Sequence, residues 1–307
     1  MNTQFAPSFA NRVKVLIVDD SEALCRFLQK IMSRDPEVEV VGYALDAYEA
    51  RDKIKQLQPD VITLDVEMPK MDGLTFLRNL MRLRPMPVVM ISSLTAAGAE
   101  VTLDALDAGA VDFMVKRHPS SEKELDLYAW EIVRRVKQAG QIKLSNTAPV
   151  IVSGAAKRLS EFRSKVMPTG ATGADPVRII AVGSSTGGPE ALKHFLKDLN
   201  VSNCAILFAQ HMPDRFMKSF ANRLNSWSSF DISLANSGDK IEAGRGYLAQ
   251  GDHHLELTRR AGELSLLSRQ TDPVCGHRPS VDVLFKSVAK AAPVGSIGVL
   301  LTGMGDD

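Results

Sequence analysis

The chain has 307 residues, 45% of them hydrophobic and 24% charged, with a formal net charge of +1. The length allows two domains, the composition is that of a soluble globular protein, and so small a net charge excludes a strong electrostatic pull toward nucleic acid or an anionic membrane. The three cysteines, Cys25, Cys204 and Cys275, match no zinc spacing and fit a reducing cytosol better than a disulfide framework. Residues 1–12 contain no apolar signal core, and no run approaches the roughly 18 apolar residues of a membrane span. A cytoplasmic location is the default expectation.

From Arg12 to about Gln138, short β-branched runs alternate with helical patterns. The strands are predicted at 13–18, 38–44, 61–66, 88–92 and 111–115. Between the first two, Leu24, Phe27, Leu28, Ile31 and Met32 form one apolar helical stripe, and Leu74, Leu77 and Met81 form a shorter one after the third strand. Near-continuous apolar strands alternating with helices imply a parallel sheet covered on both faces. From 139 to 176, Gly, Ala, Ser, Thr and Pro dissolve the pattern, which predicts a linker with a short helix near 157–166.

The alternation resumes with a buried strand at 177–183. Pro189 then opens a helix with Leu192, Phe195, Leu196 and Leu199 on one face. A second buried strand is predicted at 204–210, a helix from about 214, and β-hairpins over 241–268 with turns at Gly251-Asp252 and Ala261-Gly262. Residues 280–291 read as a helix and 296–302 as another buried strand.

In a doubly wound sheet, ligands bind beyond the carboxyl ends of the strands. In the first domain that edge collects Asp19, Asp20, Asp65, Glu67, Ser92 and Lys116. Clustered carboxylates suit a hard divalent cation, most simply Mg²⁺, beside which a carboxylate can attack a phosphoryl group. The segments VLIVDDS, LDVEMPKMDG, MISS and DFMVK, in that order over about 12–138, resemble the receiver domain of bacterial response regulators. The resemblance implies that Asp65 is the phosphoacceptor. It implies Asp20, Asp65 and the Glu67 backbone carbonyl as metal ligands, with Asp19 in support. Lys116 would pair with the phosphoryl oxygens, Ser92 would bond the phosphate, and Phe113 would be the aromatic switch. Arg117 and His118 stand before Pro119, where receivers usually have proline directly after the lysine.

In the second domain, Gly183, Ser185 and Gly187 satisfy G-x-S-x-G between a strand and a helix. Flanking glycines permit a sharp turn, and the helix N-terminus offers amides to an oxyanion. A phosphate-cradling loop is the rival reading, but no P-loop lysine follows; a plain glycine-rich turn is the other. His211 and Asp307 follow two further buried strands, so Ser, His and Asp are expected at neighbouring strand ends, as acyl transfer needs. Their chain order differs from the Ser…Asp…His of α/β-hydrolases and favours a separately evolved triad. The adjacent His253 and His254 would point to opposite faces of a strand and so do not converge on a metal. Ser280 reads as a helix cap after His277-Arg278-Pro279, with Arg278 a surface arginine, and His194 as an ordinary helical histidine.

The segments GSSTGGPEAL, QHMPDRFMKSFANRLN, YLAQGDHHLEL, HRPSVDVLFKSVA and GVLLTGMGDD resemble the catalytic domain of the chemotaxis methylesterase (CheB) family. The resemblance implies an α/β chain of two doubly wound parallel-sheet domains, a flavodoxin-like receiver at 12–138 and a Rossmann-like three-layer hydrolase at 177–307. It implies Ser185 as nucleophile, His211 as base, Asp307 as orienting acid, and Thr186 and the Met304 amide as supports. Hydrolysis of glutamate γ-methyl esters on chemoreceptors would release methanol with no cofactor. Some members also deamidate receptor glutamines through the same acyl-enzyme. A histidine kinase would phosphorylate Asp65, loosening an unphosphorylated receiver that limits access to Ser185. Neither nucleic acid nor membrane insertion is expected.

Members of that family continue past the aspartate with further helix and strand. The hydrolase domain is therefore expected to lack its C-terminal part, and Asp307 to be poorly held. Two other function classes stay open: a phosphorylation-controlled binding module with an inert hydrolase domain, and a DNA-binding regulator. The near-neutral charge and the lack of a helix-turn-helix pattern argue against the second.

Overall fold

The structure is a computed structural model that describes residues 12–92, 96–142, 177–199, 201, 203–303 and 306–307. The linker expected from residue 139 begins later, because the helix Glu122–Gln141 runs through 139–141; residues 143–176, with the helix expected near 157–166, and Met304 lie outside the described residues. The chain divides into two compact units, Met1–Leu144 and Ser145–Asp307.

In the first unit five strands alternate with five helices: β1 (Val13–Val18), α1 (Glu22–Met32), β2 (Val38–Ala44), α2 (Ala47–Leu57), β3 (Val61–Asp65), α3 (Gly73–Leu83), β4 (Val88–Ser92), α4 (Ala96–Asp107), β5 (Asp112–Val115) and α5 (Glu122–Gln141). The helix starts are written locally. Ser21, Asp46, Asp72 and Ser121 each accept a backbone N–H of the first turn on the side chain, meeting donors that a helix start leaves unpaired. All strand pairs are parallel, in the order β2-β1-β3-β4-β5. One core joins Val15 and Ile17 of β1 to Leu28, Ile31 and Met32 of α1 and Tyr128, Ile132 and Val136 of α5. On α3 the buried face is Phe76, Leu77 and Leu80, with Leu74 and Met81 only half-buried, so the stripe is rotated from the predicted one.

The second unit contains β6 (Arg178–Ser184), α6 (Gly188–Lys197), β7 (Cys204–Gln210), α7 (Asp214–Trp227), β8 (Asp231–Leu234), β9 (Arg245–Leu248), β10 (His254–Arg260), β11 (Glu263–Arg269), α8 (Val281–Ala291) and β12 (Ser296–Leu300). Five strands form a parallel sheet ordered β12-β6-β7-β9-β8, and β10 with β11 makes a separate antiparallel hairpin. Ile179 and Ala181 of β6 and Leu207 of β7 share a core with Leu284 and Val288 of α8 and with Leu255, Leu257 and Leu266 of the hairpin. The alternate residues Ile180, Val182, Ile206 and Phe208 are buried as well, as a sheet covered on both faces requires.

Three sequence expectations change here. The turn at Ala261-Gly262, with φ of 50° and 88°, does close a hairpin, but Gly251-Asp252 does not. Residues 245–248 instead lie between β7 and β8 as a parallel strand, because their burial on both faces needs a covered sheet. The segment Asp231–Leu234 is a strand that short-run patterning did not reveal. β12 is not a buried strand. It pairs with β6 alone, and Ile297 and Leu300 are 50% and 68% exposed, because among the described residues nothing lies on its outer edge. No helix among the described residues is long and apolar enough to cross a membrane.

Candidate functional site

In the first unit the order reverses at β1 and β3, and the carboxyl ends of these strands carry Asp19 and Asp65, both buried. Exposed Asp20 stands beside them, and the oxygens of the three carboxylates lie within 4.8 Å of one another. Lys116 Nζ sits 2.8 Å from Asp19 Oδ2 and 2.7 Å from Asp65 Oδ2. The lysine backbone is tied to β4, its amide donating to the Ser92 carbonyl at 2.8 Å. The intervening Arg117 and His118 therefore leave the lysine on the carboxylates. Ser92 and Phe113 are buried, with Phe113 in register with Met90. The Glu67 side chain is exposed and its backbone amide donates to Asp65.

Burial disfavours the charged form and pushes Asp65 up to about 6, even though the Lys116 ammonium pulls it down; Asp19 adds to the rise. Burial works against the charged Lys116, but the two carboxylates outweigh it and raise its pKa. A convergent set of oxygen donors fits a hard cation such as Mg²⁺. A cleft of about 640 Å³ opens beside it, lined by Asp20, Glu67, Met68, Pro69 and Val101 among others.

In the second unit β6 ends at Ser184 and α6 begins at Gly188, so Ser185 occupies the sharp turn between them. Gly187 has φ of 72°, a left-handed conformation that glycine adopts without a Cβ clash. The neighbouring strand β7 delivers His211. His211 Nδ1 is 3.2 Å from Ser185 Oγ, and Nε2 is 3.2 Å from Asp307 Oδ2. The same Asp307 oxygen accepts the Val281 amide at 2.8 Å. The Asp307 side chain is 0% exposed, so the aspartate is not the loosely held terminal residue expected from sequence. Burial would raise its pKa, but the hydrogen bond and charge of His211 and the Val281 amide hold it down at about 2.

Three further residues shape this site. Gln210 is buried and donates to the Ser185 and His211 carbonyls at 3.0 and 3.2 Å, while its Oε1 accepts from Ser184 Oγ at 2.6 Å. The turn and the base are thus locked to one amide. His277 stacks face to face on His211, with ring centroids 3.9 Å apart and planes 6° apart. His211, His277 and Asp307 could be counted as a metal-ligating group, but parallel stacked rings direct their lone pairs side by side rather than at one point. His254, 1% exposed, bonds the Ser280 amide and the Asp272 carbonyl. None of these three roles has a local sequence signal, since each rests on contacts between distant segments. The expected capping role of Ser280 is found, its Oγ accepting the Val283 amide at 3.4 Å.

Of the amides around the turn, Ser185 N donates to the Thr302 carbonyl at 2.9 Å and Gly188 N to the Ser185 carbonyl at 2.8 Å. Both are therefore committed within the fold. Thr186 is buried beside them. Arg278 bonds the Asp252 carboxylate and the Thr271 carbonyl. His194 bonds Glu190 on its own helix.

The CheB methylesterase family model matches residues 180–307 and the response regulator receiver domain model matches residues 15–126. A protein-glutamate methylesterase/protein-glutamine glutaminase of Photorhabdus laumondii is 46% identical over 97% of this chain and 82% of its own length. One from Xanthomonas campestris is 47% identical over 96% of this chain and 82% of its own. One from Hydrogenovibrio crunogenus is 43% identical over 97% and 85%.

Proposed function

The chain belongs to the CheB methylesterase family, with a receiver domain ahead of the hydrolase domain, and from that premise we propose that it hydrolyses glutamate γ-methyl esters on chemoreceptors under control of phosphorylation at Asp65. The observation that carries the reading is the continuous contact from Ser185 Oγ through the His211 imidazole to Asp307. Burial of the acid favours it further, because a desolvated carboxylate acts strongly on the one imidazole it faces.

In this mechanism Asp307 accepts the His211 Nε2–H and fixes the tautomer that leaves Nδ1 free as a base. Ser185 Oγ attacks the ester carbonyl as its proton passes to His211 Nδ1. Thr186 and the Met304 amide support the oxyanion, a role implied by the family and made more needed by the prior commitment of the Ser185 and Gly188 amides. The Nδ1–H proton then leaves with methoxide as methanol, giving a glutamyl-enzyme. Water attacks that ester with His211 again as base, and the carboxylate is released with Ser185 restored. A glutamine side chain would follow the same route with ammonia leaving.

Asp65 is the proposed phosphoacceptor, with a histidine kinase as donor. Asp20, Asp65 and the Glu67 carbonyl, supported by Asp19, would hold Mg²⁺, which screens the charge between carboxylate and phosphoryl oxygens when bound. Lys116 pairs with the transferred phosphoryl group, and Ser92 and Phe113 respond to it, shifting a two-state receiver. A cytoplasmic location accompanies this reading.

The direct test measures methanol released from a methylated receptor cytoplasmic fragment. The chain is expected to release it, and Ser185→Ala to lose at least about 1,000-fold in rate. A folded chain that releases none, or a Ser185→Ala variant as active as its parent, would sink the assignment.

A further inference from the structure

The histidine at the start of β10 has no part in the mechanism above, yet its bonds lead directly to it. His254 is 1% exposed. Its Nδ1 accepts the Ser280 amide at 3.1 Å, so that nitrogen carries no proton. Its Nε2 lies 3.0 Å from the Asp272 carbonyl, which can only accept, so that nitrogen carries one. The ring is satisfied at both nitrogens.

Ser280, itself fully buried, is the N-cap of α8. The next residue, Val281, donates its amide to the same Asp307 oxygen that faces His211. His277, shortly before the cap, stacks on the His211 ring. One short segment therefore makes two contacts with the proton-transfer pair, and His254 holds that segment by its backbone between them. The fit beneath it is tight. A Cβ on Gly183 of β6 would come within 2.2 Å of Val281 Cγ1, so the start of α8 is seated directly on the strand that carries the nucleophile.

We propose that His254 is a positioning residue for ester hydrolysis, fixing through the Ser280 amide the register of the α8 N-terminus and with it the Val281 amide on Asp307. The proposal rests on the hydrolase reading of Ser185, His211 and Asp307. Its distinguishing feature is that the acceptor at Nδ1 matters for the site, whereas the donor at Nε2 only anchors a loop carbonyl.

Two substitutions separate these atoms. His254→Asn puts an amide oxygen near the position of Nδ1 and keeps the acceptor for Ser280. His254→Gln puts an amide nitrogen near Nε2 and keeps the donor for Asp272. His254→Ala keeps neither. Methanol release is measured for each full chain alongside thermal unfolding, with hydrogen exchange at the Val281 amide followed by ¹⁵N-valine labelling. The Asn variant is expected to keep kcat within about threefold of the parent. The Gln and Ala variants are expected to lose on the order of 10- to 100-fold in kcat with KM unchanged, and to expose the Val281 amide to faster exchange. Gln as active as Asn, or equal losses in all three with the Val281 amide still protected, would overturn the proposal. Should Gln or Ala fail to fold, Asn decides alone, parent-like values upholding the proposal and impaired values overturning it. A parent chain that releases no methanol would defeat the hydrolase reading instead, and the Val281 exchange pattern would still test the positioning.

Discussion

Asp307 concentrates the electrostatics of the hydrolase site on one oxygen, which faces both His211 Nε2 and the Val281 amide. Replacing it with Asn leaves the shape and removes the charge, and the amide can present a donor where the imidazole needs an acceptor. Asp307→Asn is expected to lower kcat by roughly 1,000- to 10,000-fold, measured as methanol release, with little change in KM. The same residue gives a pH signature. Its folded pKa of about 2 lies below the ordinary 3.8, so its stabilising effect is full above about pH 4 and is lost as pH falls through 2. Urea unfolding should therefore show the gap between parent and Asp307→Asn shrinking by about 2 kcal/mol between pH 4 and pH 2. A gap independent of pH would mean that the carboxylate is not held as described. Ser185, His211 and Asp307 are legible because each follows a run with the apolar composition of a strand, and parallel strands bring their carboxyl ends to one edge. Gln210, His254 and His277 were not, because each acts through a contact with a backbone group or ring far away in sequence.

Among the elements, α8 and β6 bear most directly on the chemistry. Gly183 allows Val281 to lie against the strand, and nothing larger fits without moving the helix. Gly183→Ala is expected to shift the α8 start and reduce kcat at least about tenfold. It should also destabilise the second unit by about 1–3 kcal/mol through overpacking, read by thermal unfolding with kinetics on the same sample. Normal activity and stability together would contradict this packing. The helices and central strands could be read from caps and apolar runs, and β1, β2, β4 and β7 have the predicted bounds. Pairing was harder to read. The run 245–248 has the alternation and nearby turn of a hairpin strand, and only tertiary burial sends it between β7 and β8. β12 has the composition of a central strand and, among the described residues, pairs with β6 alone. Hydropathy records what a strand can bury, not how many neighbours it has.

For the whole molecule, the sequence separates an acidic strand-end cluster from a Ser/His/Asp cluster, and the two compact units hold one each. The family ties these together as a control input and an output. The coupling is a free energy between two distinct sites, so it must appear as a change at Ser185 caused by chemistry at Asp65. The most direct measurement is methanol release from methylated receptor fragment by the full chain in Mg²⁺, with and without a small phosphodonor, beside Asp65→Asn. Release is expected to rise with the donor in the parent and to stay at its basal level in Asp65→Asn. A parent indifferent to the donor although Asp65 is phosphorylated, or an Asp65→Asn variant that still responds, would contradict phosphorylation control of the hydrolase.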